Sequence, residues 1–204
     1  FYECTSLTDE LIFPTAPNFA KSPIFNNAFS SSSISEIPDL TMYHDLYVDT
    51  GTAVRTSNRL NLAGAFSYCM DLKSVDFNKL PKKYYILDHT FSNSGVETVH
   101  GTLETTLTTM SSTFAHCESL NCDIDLSNLP KLSNMQDCFN SCLNFDGTVD
   151  FSNDTMLGNT RQEILTTNVP VTGVSKKDHI LKATNGLART FAYCESMTKA
   201  PIFT

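Results

Sequence analysis

Apolar positions along the chain recur in one seven-residue template: a Phe, a Cys three residues later and a large apolar residue three after that. The template stands in FYECTSL from Phe1, FSYCMDL from Phe66, FAHCESL from Phe114, FNSCLNF from Phe139 and FAYCESM from Phe191. Five copies do not arise by chance, and a fixed period of about 20–50 residues decides an architecture before any motif does. Degenerate copies fill the gaps. AFSSSSISEIPDL, with Phe29, matches TFSNSGVETVHGTL, with Phe91, if each has lost one residue before Ile34 or Val96. Around Leu165 the Phe and Cys are absent, yet Leu165, Asn168, Val171 and Val174 keep the offsets of Phe66, Cys69, Leu72 and Val75. The anchors are then 1, 29, 66, 91, 114, 139, 165 and 191, with successive differences of 28, 37, 25, 23, 25, 26 and 26. The long interval marks an insertion at Thr41–Arg59, between Leu40 and Leu62.

Within each unit, LKSVDF and LNCDIDL end on residues that alternate in and out, as a short strand does. The segments before each Phe, such as LNLAGAF, LTTMSSTF, LSNMQDCF and LKATNGLARTF, repeat apolar residues three or four apart, which predicts one or two turns of helix. Elements this short, each apolar on one side, bury that side only by stacking on copies of themselves. The predicted fold is therefore an α/β repeat solenoid, a right-handed coil with short parallel strands on one face and short helices or 3-10 turns on the other. It is one domain spanning 1–204, of about eight repeats and with the insertion at 41–59.

At these residues a family resemblance becomes plain. FYECTSLT, the recurring F-x-x-C-x-x-L, the DLSNLP of Asp125 to Pro130 and the ending MTKAPIF resemble the BspA-like leucine-rich repeats and related bacterial surface-protein repeats, which occur in secreted or cell-surface proteins and in some phage-encoded ones. The resemblance covers nearly the whole chain outside the insertion. It departs at the second, fourth and seventh repeats, where Ser, Ser or Asn replaces the Cys. Reiteration makes the motif specific for a fold, whereas folds of this kind serve many functions.

Charge narrows the partners. With 14 Lys+Arg against 22 Asp+Glu the formal net charge is −8, and no basic stripe exists for a phosphate backbone. No apolar run approaches the roughly 20 residues that span a bilayer. The expected partners are a protein or glycan on a cell or virion surface, with neither nucleic acid nor membrane insertion. Phe1 enters on a repeat anchor and Thr204 follows the last strand, so a flanking domain or subunit is expected to cap the ends.

Seven Cys in an extracellular chain invite a disulfide reading. Register points elsewhere: Cys4, Cys69, Cys117, Cys142 and Cys194 hold one place in successive repeats, where a thiol acts as a small apolar group. Parallel side-chain vectors suit a disulfide poorly. Cys138 fills the small-residue slot of Ala28, Ala65, Thr113 and Thr190, and Cys122 has no assigned column. Buried free thiols are the expectation, with disulfide and metal as the alternatives weighed; no C-x-x-C pair of zinc spacing is present. The expected structural core is Phe1, Cys4, Phe29, Phe66, Cys69, Phe91, Phe114, Cys117, Phe139, Cys142, Leu165, Phe191 and Cys194. His116 beside Cys117 does not make a nucleophile, because chain neighbours seldom face each other. No catalytic or phosphate-binding motif appears, so no enzyme, cofactor or metal is expected.

Two features carry candidate recognition. Strand alternation aims Asp76, His100, Asp125 and Asp150 outward, together with Pro38, Ser175 and Pro201; their stacking makes a polar, partly acidic ladder that would attract a cation or basic partner. The alternative is a solvated face. The insertion carries Tyr43, His44, Tyr47 and Arg55, residue types favoured as interface anchors; the alternative is a loop or small hairpin covering an edge of the stack. In KKYYILDHT, residues Tyr84 to Leu87 are expected to take the place of the short helix. Asn153-Asp154-Thr155 is a lone glycosylation sequon. The expectation for function is a non-enzymatic extracellular binding or adhesion module, with a virion structural or receptor-binding component, such as a phage tail or fibre protein, as the alternative.

Overall fold

The computed structural model describes residues 1–6, 25–45, 60–81, 85–153 and 185–203. Its regular elements are short. The strands are β1 (Leu60–Asn61), β2 (Ser74–Asp76), β3 (Tyr85–Ile86), β4 (Thr98–His100), β5 (Ile124–Asp125) and β6 (Val149–Asp150), and 3-10 turns cover Thr41–Asp45, Phe77–Lys79 and Asn185–Leu187. Strands pair in parallel, β1 with β3, β2 with β4 and β5 with β6, in the registers Leu60–Tyr85, Val75–Val99 and Ile124–Val149.

The core is a row of phenylalanine rings. Phe1, Phe29, Phe66, Phe91, Phe114, Phe139 and Phe191 stack face to face, with neighbouring centroids between 5.2 and 5.8 Å apart. Phe29 through Phe139 are fully buried, Phe191 is half-buried, and Phe1 is 59% exposed at the outer end. Full burial of such a ring contributes about 1.5–3 kcal/mol, and an aromatic pair adds about 0.5–1.5 kcal/mol beyond area.

Backbone hydrogen bonds explain why the rings can stack so closely. Around each Phe the N–H groups alternate between two destinations. Those of Gly64, Phe66 and Tyr68 donate to the carbonyls of Asp88, Thr90 and Ser92 in the next tier, while those of Ala65, Ser67 and Cys69 donate three residues back, to Leu62, Gly64 and Phe66. The same triplet recurs from His89, Phe91 and Asn93 to Ser111, Thr113 and Ala115, and from Asp137, Phe139 and Ser141 to Ala188, Thr190 and Ala192. Every donor of these buried turns is thereby satisfied, as burial requires.

Those turns stand where short helices or 3-10 turns were expected; the described residues contain no α-helix, and the segment before Phe191 carries the 3-10 turn Asn185–Leu187. Two residues before and two after each Phe the backbone is left-handed: Gly64 and Tyr68 flank Phe66, Ser112 and His116 flank Phe114, and Asp137 and Ser141 flank Phe139, with φ between 52° and 64°. A left-handed residue every fourth position interrupts the i to i−4 ladder of a helix. The three-to-four spacing of apolar residues belongs instead to consecutive four-residue turns.

Leu165 lies outside the described residues. Because Phe139 and Phe191 stack directly, at 5.5 Å and with rings 13° from parallel, no residue stands between them in the row. Among the described residues the row passes directly from the anchor at 139 to that at 191.

Two ladders of small polar side chains meet the remaining carbonyl valences. Cys69, Cys117, Cys142 and Cys194 direct Sγ at the Phe carbonyl of the preceding tier, Phe29, Phe91, Phe114 and Phe139, at 3.0 to 3.1 Å. Where Ser holds that column, in Ser32 and Ser94, the shorter hydroxyl bonds its own tier's Phe29 or Phe91 carbonyl at 2.6 Å. Just before the Phe, Thr90, Thr113 and Thr190 donate to Leu62, Leu87 and Met135 at 2.9 to 3.0 Å. All seven cysteines are free thiols. Cys122, unassigned by register, is half-buried, and its sulfur accepts the Val99 N–H at 3.3 Å.

Burial pushes the Cys117 thiol up to about 11 and raises Cys138 and Cys142 further. Thiolate is the reactive form, so a thiol-specific reagent at pH 8 should modify half-buried Cys4, Cys122 and Cys194 first. Cys69, Cys117, Cys138 and Cys142 should react only on unfolding. Mass-spectrometric site mapping checks the order, and early labelling of Cys142 would contradict it.

Candidate functional site

The outward strand residues are built by alternation. In β2, β4, β5 and β6 the apolar Val75, Val99, Ile124 and Val149 point inward and are buried, while Asp76, His100, Asp125 and Asp150 point out. Pairing brings them together two by two: Asp76 is the register partner of His100, and Asp125 that of Asp150. The next partner of Asp150 is Ile202, not Pro201. On the other side Pro38 is buried and Asp39 occupies the outward place. Ser175 lies outside the described residues.

The carboxylates of this column have a local task. Asp39, Asp76, Asp125 and Asp150 each accept the N–H two residues on, from Thr41, Asn78, Ser127 and Ser152, at 2.8 to 2.9 Å. The Thr41 and Ser127 hydroxyls add bonds of 2.6 Å to the same oxygens. These are Asx-type caps that hold the chain as it leaves the strand. Hydrogen bonding by Thr41 keeps Asp39 below the ordinary carboxylate range. The ladder is thus explained first as turn chemistry, and in the like-charged pair Asp125–Asp150 each carboxylate has a backbone donor that offsets the repulsion. Among the described residues no three His, Cys, Asp or Glu side chains come together to hold a metal ion.

A shallow depression of about 260 Å³ opens where the 34–37 segment lies beside β2, lined by Ser35, Glu36, Ile37, Ser74, Asp76, Lys79 and His100. Lys79 donates to Glu36 at 2.5 Å across it. On the opposite wall His100 stands between two groups, with Ser74 Oγ 3.4 Å from Nδ1 and Asp76 Oδ2 3.9 Å from Nε2. The residue types and order are those of a hydroxyl nucleophile, its base and the carboxylate that orients it. The geometry is not: 3.9 Å exceeds a hydrogen bond, Asp76 already caps Asn78, and the His100 side chain is 56% exposed. What the depression offers is alternating hydrogen-bond donors and acceptors over a buried Ile37 floor.

Of the insertion, Thr41–Asp45 is described, and Tyr43 within it departs from the exposed anchor expected of it. Tyr43 is buried, 4% exposed, with its ring edge-on to Phe25 at 5.6 Å; burial raises its pKa. It is a core residue, because the 3-10 turn at Thr41–Asp45 returns its third residue to the Phe row's flank. His44 lies in that turn. Tyr47 and Arg55 are outside the described residues. Of KKYYILDHT, Tyr85–Ile86 forms β3, pairing with β1 in the place before the tier's turns.

One ion pair ties the last described tier to its neighbour. Arg189 donates to Asp137 Oδ2 at 2.7 Å, and Asp137 also accepts from Asn140 at 2.9 Å and Gln136 at 3.2 Å. Burial alone would raise the Asp137 pKa, but these donors outweigh it and hold the carboxyl below its usual range. A carboxylate depressed on folding stabilises the fold above its unfolded pKa of about 3.9 and loses that contribution as pH falls through the folded value. The urea midpoint of Asp137→Asn should therefore fall less than wild type's between pH 5 and 2.5. Identical pH profiles for the two proteins would contradict the assignment.

Sequence reading missed the cap pattern, although D-[LF]-[TNS] at Asp39, Asp76, Asp125 and Asp150 was the available signal. It also passed over Glu36, Ser74 and Lys79, which only the close approach of two tiers brings to His100. Among the described residues no helix is long and apolar enough to cross a membrane. In comparisons with protein-family models, curated proteins and solved structures, nothing matches the chain.

Proposed function

We propose that the chain is a non-enzymatic extracellular binding module. In this reading it is a leucine-rich-repeat-like solenoid of the kind its F-x-x-C-x-x-L motif resembles, presenting a rigid face to a protein or glycan of a cell or virion surface. The supporting observation is the contrast between columns that repeat and columns that vary. Inward, tier after tier uses Phe, Cys or Ser, and Thr, Ala or Cys, with their polar groups satisfied by the neighbouring backbone. Outward, the position two residues after the Phe changes from tier to tier, through Tyr68, Asn93, His116, Ser141 and Tyr193, and on the strands His100 interrupts the run of capping Asp residues. A constant interior with a changing exterior is how stacked repeats make extended recognition surfaces. Adhesion to a host cell or matrix is the use the resemblance implies.

Binding of the 204-residue chain to immobilised matrix proteins and an array of cell-surface glycans tests this, with His100→Ala–Lys79→Ala as the variant of the depression. Saturable binding without chemical change of the ligand, weakened in the variant, is the expected result. Binding to no member, or release of an altered ligand, would count against it.

A further inference from the structure

On the edge of the stack formed by the turns, aromatic side chains stand in water. Tyr68 is 56% exposed, Met70 62% and Tyr193 70%, and His116 is exposed in the tier between the two tyrosines' ends of the row. Tyr68, His116 and Tyr193 hold one and the same place, two residues after their Phe, and the N–H groups of Tyr68 and His116 make equivalent bonds to the next tier. All three are left-handed, with φ of 59°, 60° and 60°. Bulky residues are disfavoured there, and Gly or Asn would meet the same backbone more cheaply. These rings are therefore not retained for the turn or for the interior.

Carboxylates follow two of these rings, while Tyr68 has Met70 in that place, and Arg189, the cation that Tyr193 feels, is already paired with Asp137. Glu118 and Glu195 sit two residues after His116 and Tyr193, both exposed, and among the described residues neither side chain takes part in a hydrogen bond or ion pair. The chain as a whole carries a formal charge of −8. An exposed aromatic face next to an unpaired carboxylate attracts a guanidinium or ammonium by cation–π and Coulomb terms together. Charge complementarity thus selects a basic occupant over an acidic or purely apolar one.

Spacing sets the register. Tyr68 and His116 are two tiers apart, as are His116 and Tyr193. With ring rows stepping 5.7 and 5.4 Å, two tiers span roughly 11 Å, near the ~9.3 Å turn of a polyproline II segment, which returns every third side chain to one side, the long Arg or Lys side chains spanning the difference. Resting on the binding-module reading, we infer that this edge is the docking site for an extended, basic polypeptide segment with Arg or Lys at about every third residue.

The probe is a fluorescent peptide of five Arg-Gly-Ser units, with an Asp-Gly-Ser peptide as control, titrated by anisotropy at low and physiological salt. The wild-type chain should bind the first and not the second. Tyr68→Gly–Tyr193→Gly should weaken binding at least threefold while raising the unfolding temperature by about 2–4 °C, because a strained backbone is relieved. Glu118→Gln–Glu195→Gln should also weaken it and flatten its salt dependence. A lowered unfolding temperature in the glycine variant, unchanged affinity in either variant, or equal binding of both peptides would overturn the inference. A chain that binds the matrix and glycan panel but ignores the Arg peptide would overturn this inference alone. Failure on both would also remove the binding-module reading.

Discussion

Phe114→Ala is expected to lower stability by about 3–5 kcal/mol, the range for truncating a fully buried ring. Phe114 is 0% exposed and stacks on Phe91 at 5.4 Å and on Phe139 at 5.8 Å, with Phe77 tilted against it at 6.3 Å. Removing it leaves a cavity that cannot close, because the backbones on either side are pinned to each other by the bonds from Ser112, Phe114 and His116. The same change at Phe1, 59% exposed with a single stacking neighbour in the row, should cost much less. Urea unfolding of the two variants separates them, and equal losses would mean that burial in the row does not govern stability.

Gly147→Ala should be the most damaging single methyl group, costing about 3 kcal/mol or more, at or beyond the upper end of ordinary overpacking. A Cβ on Gly147 would sit 1.8 Å from the Cys122 carbonyl oxygen and 2.4 Å from its carbon. Both are backbone atoms, so relief requires the two tiers to separate rather than a side chain to turn. Gly64→Ala provides the contrast. There the close atom, 2.1 Å away, is the Asn27 side-chain oxygen, which can rotate aside, leaving mainly the strain of a φ of 64°. Thermal unfolding of both should place Gly147→Ala well below Gly64→Ala; the reverse order would show that tier spacing at Cys122 is not tight.

The Phe and Cys columns are legible in the sequence because one interior environment, repeated, selects one residue type at each place. The turns around them are not, since three-to-four apolar spacing fits both a helix and consecutive four-residue turns. What decides between them is the left-handed backbone at residues as unlike as Tyr68, Asn93, His116 and Asp137. Nothing in those side chains announces a positive φ; it is imposed by hydrogen bonds to the next tier. The strand face is legible in its direction, in that Asp76 and His100 point outward, but not in its reason. The Asp carboxylates look like a ligand ladder until the N–H groups of Asn78 and Ser127 are seen to occupy them. The same caps show why Asp39, and not Pro38, belongs to that column. Tyr43 reads as an exposed anchor because the period breaks there, whereas the break begins only after one more turn has been folded into the core. The depression was beyond reach, since Glu36, Lys79 and His100 are joined only by the packing of separate tiers.

Stability and surface alike depend on an aromatic row that continues from Phe114 to Phe139 and then directly to Phe191. Through-space NMR on protein with labelled Phe and Leu tests it most directly. Ring-to-ring cross-peaks are expected between Phe114 and Phe139 and between Phe139 and Phe191, residues stacked at 5.8 and 5.5 Å. A Phe139 ring whose contacts on that side run to Leu165, with none to Phe191, would contradict it.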